Sequence, residues 1–147
     1  MACHSEELGV FAAERVVLSV NPMSINSHRD LLVWQAAMQL ATSIESIAVR
    51  LPAHERYGLG SQLRRAAASI PANIAEGWAR PTRTYIHHVN IALGSEAELQ
   101  TLLELGQRMN LIASTDAEPA LALASQVGRM LRGLSRALKA HLARTNP

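Results

Sequence analysis

Apolar residues return every three or four positions through four long stretches of this chain, and short segments bearing Pro or Gly separate those stretches. That period puts the apolar side chains on one face of a helix and lacks the alternation that a half-buried strand needs. The first stretch opens at Ser27 with Asp30 three residues on, a pattern like a capping box. Leu31, Trp34, Met38, Ala41, Ile44, Ala48 and Leu51 then predict a helix over about 28–50. Leu51-Pro52 ends it, because the residue before a proline is pushed out of the helical region. The second helix, over about 55–78, is lined by Leu59, Leu63, Ala66, Ala67, Ile70, Ile74 and Trp78. Pro71 lies inside it, where a kink is expected and not a break, since the stripe keeps its phase on both sides. The third is expected over about 82–110, with Tyr85, Val89, Ala92, Leu93, Leu99, Leu102, Leu103, Gly106 and Met109 on its core face. The fourth starts near Ser114–Asp116, carries Pro119 in its first turn and ends near Ala143. Leu123, Val127, Met130, Leu131, Leu134, Leu138 and Leu142 line its inner face. Connections of about four to six residues turn successive helices back on one another. The expected fold class is all-α, an antiparallel up-down-up-down four-helix bundle.

Composition agrees with one such domain. The 147 residues are enough to bury a real core. They are 48% hydrophobic with five aromatic residues among them, and a content dominated by Ala and Leu suits helices. No stretch has the roughly 18 uncharged apolar residues of a membrane span. Cys3 is the sole cysteine, which excludes an intramolecular disulfide or a thiolate metal cluster and fits a reducing cytoplasm. The first 22 residues lack the basic start and apolar centre of a signal peptide. Met23 begins a more natural opening, MSINSHRDLLVW. Residues 1–26 therefore read as an N-terminal extension, poorly ordered or in part an upstream mis-start, and 27–147 as the bundle domain.

Catalytic machinery is not visible. His87 and His88 are adjacent, so their rings diverge on a helix and do not readily share a metal. Neither Glu-x-x-His nor HExxH occurs. Ser61, Ser69 and Ser95 lack the strand–turn–helix setting of a nucleophile elbow, and the glycines are scattered singly. A non-enzymatic protein without metal or cofactor is expected, its histidines at the surface or an interface. Gln62, Ser69, Asn73 and Glu76 share one face of the second helix, and Glu96 and Glu98 lie beside Ser95 in the third. Gln62, Ser69, Asn73, Glu76 and Glu96 read as a hydrogen-bonded polar layer that fixes helix register. A ligand pocket on that face is the alternative.

The basic residues are skewed: 13 of 14 are Arg, in a chain of net charge +2. GC-rich coding accounts for such a bias, yet Arg still presents a planar fork of donors suited to phosphate or carboxylate. Arg64 and Arg65 are consecutive, so at least one faces outward. Arg80 and Arg83 flank the turn into the third helix. Arg129, Arg132, Arg136 and Lys139 are spaced three, four and three apart along the fourth, with Glu118 as its acid. A solvated face is the plain explanation; phosphate contact or an acidic partner is the other. With so few aromatics to stack on bases, nucleic-acid contact would be to the backbone and sensitive to salt.

DLLVWQAAMQLA, LPAHERYGLGSQLRRAAASIPANIAEGWAR and YIHHVNIALGSEAELQTLLELG, spanning roughly 28–112, resemble the four-helix bundle proteins encoded in intervening sequences of 23S ribosomal RNA genes. Gln62 through Gly77, followed by Ala92–Glu98, is the most specific part. The resemblance implies a bacterial bundle that assembles into a ring-like homopentamer. It also implies kinship with the accessory variability determinants of diversity-generating retroelements, which engage nucleic acid and a reverse transcriptase through a basic surface. By that analogy Arg64, Arg65, Arg80 and Arg83 are candidates for anion contact, whereas the row on the fourth helix rests on its spacing alone. The expected function is a cytoplasmic, oligomeric bundle binding RNA or DNA backbone. Its competitor is an interaction scaffold, such as an accessory subunit of a reverse transcriptase, with no nucleic-acid role of its own.

Overall fold

A computed structural model of the chain describes residues 25–145. The expectation of a poorly ordered extension over 1–26 falls outside the described residues for 1–24, while Ile25 is described and buried. Four helices carry the fold: α1 (Leu32–Ala48), α2 (Leu59–Trp78), α3 (Thr82–Arg108) and α4 (Ser114–Thr145). Among the described residues there is no strand. Each helix packs against the next in sequence, and α1 also packs against α4, so the four enclose one core. No described helix is long and apolar enough to cross a membrane.

The stops and starts follow local chemistry. Ser27 Oγ accepts from the Arg29 amide at 3.0 Å, and the Asp30 carboxylate accepts from the Ser27 amide at 3.0 Å. This box caps a short 3-10 turn, His28–Asp30, and α1 itself begins one residue after Leu31. A second 3-10 turn, Ala53–Glu55, occupies the link from α1 to α2. The link is longer than expected, and Glu55 is not the first residue of α2 but lies in the turn before its N-cap Gly58, where its carboxylate accepts from the Leu59 amide at 3.2 Å. A carboxylate there satisfies an orphan donor and opposes the positive end of the helix dipole. α2 then runs unbroken through the buried Pro71. α3 ends with Asn110 in the left-handed region (φ 57°), where the Asn110 amide bonds Gln107 O and the Leu111 amide bonds Gly106 O. That pair of bonds is a Schellman closure, which consumes carbonyls left over at a helix end. Pro119 is the sixth residue of α4, in its second turn and not its first.

The α2 stripe is buried as read, apart from the half-buried Trp78. Of the α1 stripe, Leu31, Ile44, Ala48 and Leu51 are buried as read, whereas Trp34, Met38 and Ala41 are not. Val33, Ala37, Leu40, Ile44 and Ile47 form its buried seam, Trp34 and Ala41 are half-buried, and Met38 is exposed. The apolar arc of α1 is wide enough to hold two adjacent three/four-spaced stripes, and packing against α2 and α4 selects between them. Met109 is likewise exposed, at the cap of α3, and not part of the core. Ile25 packs into the core ahead of α1.

Candidate functional site

The expected anion contacts are for the most part already occupied by carboxylates. Arg64 meets Glu45 of α1 in a two-pronged contact, Nε to Oε2 at 2.6 Å and Nη2 to Oε1 at 3.2 Å. The guanidinium holds the Glu45 carboxyl below its usual range, and the carboxylate in turn raises Arg64. Arg65 is the outward member of the pair: it is 75% exposed and reaches Glu98 of α3 at 3.4 Å. Arg80 lies 3.4 Å from Glu76, one turn before it. Arg83 is exposed, with no acid within 4 Å among the described residues.

The row on α4 differs. Arg129, Arg132, Arg136 and Lys139 are all exposed, and no acidic side chain among the described residues comes within 4 Å of any of them. α4 carries Asp116 as well as Glu118, but Asp116 pairs with Arg50 at 2.8 Å. The row extends over about 15 Å at the helical rise per residue. Arg129 and Arg132 also line an open groove of about 630 Å³ between α3 and α4, with Glu96, Gln100, Thr101, Glu104 and Ser125 among its other walls. Sequence reading missed this groove, because it depends on which helix lies beside α4.

Of the expected polar layer Ser69 and Asn73 are hydrogen-bonded, joined by Ser95 and His88, and Glu76 stays exposed at its edge. Ser69 and Ser95 hydroxyls share a hydrogen bond of 2.8 Å between α2 and α3. Asn73 Nδ2 donates to Ser69 O at 2.9 Å and to Ser69 Oγ at 3.2 Å. That orientation leaves Asn73 Oδ1 as an acceptor, so His88 Nδ1, 3.0 Å away, carries the proton. His88 Nε2 faces Glu76 Oε1 at 3.8 Å. Gln62 is exposed and lies outside the network. Glu96 lies outside it too: it is 5% exposed, takes a hydrogen bond from Gln100, and has its carboxylate against Gly128 of α4. Two histidines read as surface or interface residues are inside: His88 belongs to the layer and His141 is buried on α4. A small-molecule site on the Ser69–Glu76 face loses support, since Ser95 and His88 fill that face.

Comparison with known proteins follows the same lines. The sequence model for the 23S rRNA-intervening sequence protein matches residues 29–133. No curated protein matches the chain. Among solved structures, a protein of unknown function from the S23 ribosomal protein family of Bacteroides thetaiotaomicron superposes with a TM-score of 0.67 at 24% identity, over 71% of this chain and 96% of that one. That similarity shows the fold alone. The match over 29–133 takes in all of α1, α2 and α3 and more than half of α4. The chain belongs to the 23S rRNA-intervening sequence protein family.

Proposed function

We propose that this chain is a non-enzymatic, oligomeric bundle of the antiparallel up-down-up-down kind that binds RNA or DNA along the phosphate backbone. The observation that supports it most is the exposed row Arg129, Arg132, Arg136 and Lys139, four cations without a carboxylate within 4 Å among the described residues. Unpaired guanidiniums in register along one helix suit a polyanion, because each neutralised phosphate releases condensed counterions. Arg83 adds an exposed cation at the start of α3, and the exposed Arg65 adds one that is shared with Glu98. Arg64 contributes less, being held by Glu45. Four phosphate contacts give log K against log salt a slope of about −3 for a single strand. Replacing Arg129 and Arg132 with Ala lowers that magnitude by about one for each contact removed. Titrating labelled single-stranded RNA at several salt concentrations checks both. Tight binding indifferent to salt and to the two substitutions overturns the reading.

Assembly into a ring-like homopentamer is part of the same proposal. Ile91 and Leu105 on α3 and Met109 at its C-cap are exposed apolar residues spaced by nearly whole numbers of turns, and a second copy would cover them. A scaffold for another protein, such as a reverse transcriptase, is the second reading, and the same three side chains favour it. Recovery of one defined protein by the tagged chain after nuclease treatment supports the scaffold. Recovery that disappears with nuclease supports the nucleic-acid role.

A further inference from the structure

We propose that the groove between α3 and α4 reads a base, taking an unpaired guanosine whose phosphate lies on Arg129 and Arg132 and whose donor edge meets Glu96. The inference rests on the backbone-binding reading and adds a preference to it. Glu96 is an unusual wall for a groove beside a basic row. It is 5% exposed, and its carboxylate occupies space that exists because residue 128 has no side chain: a Cβ there would fall 2.9 Å from Cδ and Oε2. A carboxylate is purely an acceptor with about four lone-pair sites, and Gln100 supplies one donor. Gln100 does not exhaust that acceptor capacity, and Glu96 lines the groove. Arg129 and Arg132 line the same groove, yet neither comes within 4 Å of Glu96 or Glu104. Acid and base thus face a common space without neutralising each other.

A strand tracking the α4 row passes this opening with phosphate on the arginines and base toward the acid. Guanine presents two neighbouring N–H donors, N1–H and the 2-amino group, on its Watson–Crick edge, a fork matched to the two oxygens of a carboxylate. Uracil offers one N–H flanked by carbonyls that a carboxylate repels, and adenine and cytosine each set an amino group beside a ring-nitrogen acceptor. Reading of unstacked bases along that edge is how single-stranded RNA is usually recognised. No aromatic side chain lines the groove, so hydrogen bonding and not stacking sets the preference.

The test is fluorescence anisotropy of the full chain with labelled uridine oligonucleotides carrying one central guanosine, inosine or uridine. Inosine lacks the 2-amino group and so loses one hydrogen bond to the carboxylate, which is about a tenfold loss of affinity. Glu96→Gln, checked for fold by circular dichroism, abolishes the guanosine preference and keeps the uridine affinity and its salt slope. If that variant unfolds, the inosine comparison on the wild-type chain decides. Equal affinity for the three oligonucleotides overturns the inference. If none binds even at low salt, the backbone reading fails by itself. Free GMP and IMP are then titrated in turn and followed by amide shifts at Glu96, Gln100 and Gly128: a GMP-selective response retains the groove assignment, and an equal or absent response overturns it.

Discussion

Tyr85 carries a phenol into the contact between α2 and α3, where it is 6% exposed and lies over Gly77. Its hydroxyl has no hydrogen-bond partner among the described residues, and burial pushes its pKa above the ordinary phenol value. Contrast Ser69, Asn73 and His88, whose polar atoms meet one another in the same interface. Folding favours the protonated phenol, so this contribution is whole below the unfolded value of about 10 and declines as pH rises through it toward the folded value. In a Tyr57→Phe background, absorbance at 295 nm is expected to show a phenol step above the ordinary range or coincident with unfolding. Tyr85→Phe removes a buried hydroxyl without stranding a partner, so denaturant melts are expected to give unchanged or higher stability, with a gentler alkaline decline. A step at the ordinary phenol value in the folded chain contradicts this account.

At the scale of the helix, two glycines separate propensity from packing. Gly94 faces open space on α3, with nothing within 4 Å of a built Cβ. Gly94→Ala is expected to stabilise by up to about 1 kcal/mol, the intrinsic difference between the two residues in a helix. Gly77 is where α2 passes beneath Tyr85: a Cβ would collide with that ring and lie 3.0 Å from His88 Cβ. Gly77→Ala is expected to destabilise by about 1–3 kcal/mol despite the better helix former, because the buried ring has little room to move. Denaturant unfolding of the two variants under one set of conditions checks the opposed signs. Both positions look alike in sequence, as single glycines within helical runs. The α1 seam is the same lesson: spacing located the helix, but Trp34, Met38 and Ala41 fit the period as well as Val33, Ala37 and Leu40 do.

For the whole molecule, the exposed α3 side chains and the α4 row lie on helices that pack side by side. If Ile91, Leu105 and Met109 meet other copies, assembly sets many basic rows around one particle, and binding gains from multivalency. Light scattering is expected to report about five times the 15.9 kDa chain mass, and Ile91→Asp with Met109→Asp is expected to shift it toward one. A wild-type monomer at micromolar concentration contradicts the ring. RNA affinity measured on the same samples tells whether the row acts alone or through the assembly, since a dispersed variant keeps its arginines.

Helix number, the capping box at Ser27, the stop at Leu51-Pro52, the polar pairing of Ser69 with Asn73, and family membership could be read in the sequence because each is set within a few residues or a short motif. Which arginines remain unpaired could not. Glu45 and Glu98 stand 19 and 33 residues from the arginines they hold, and helical periodicity carries no information over such separations. Arg64 and Arg65 looked alike until α1 and α3 were placed beside α2. Glu96 passed for part of the Ser69 layer until Gly128 of α4 gave its carboxylate a different place. Local chemistry determined the elements, and the side-by-side packing of distant helices decided which charges they leave for a partner.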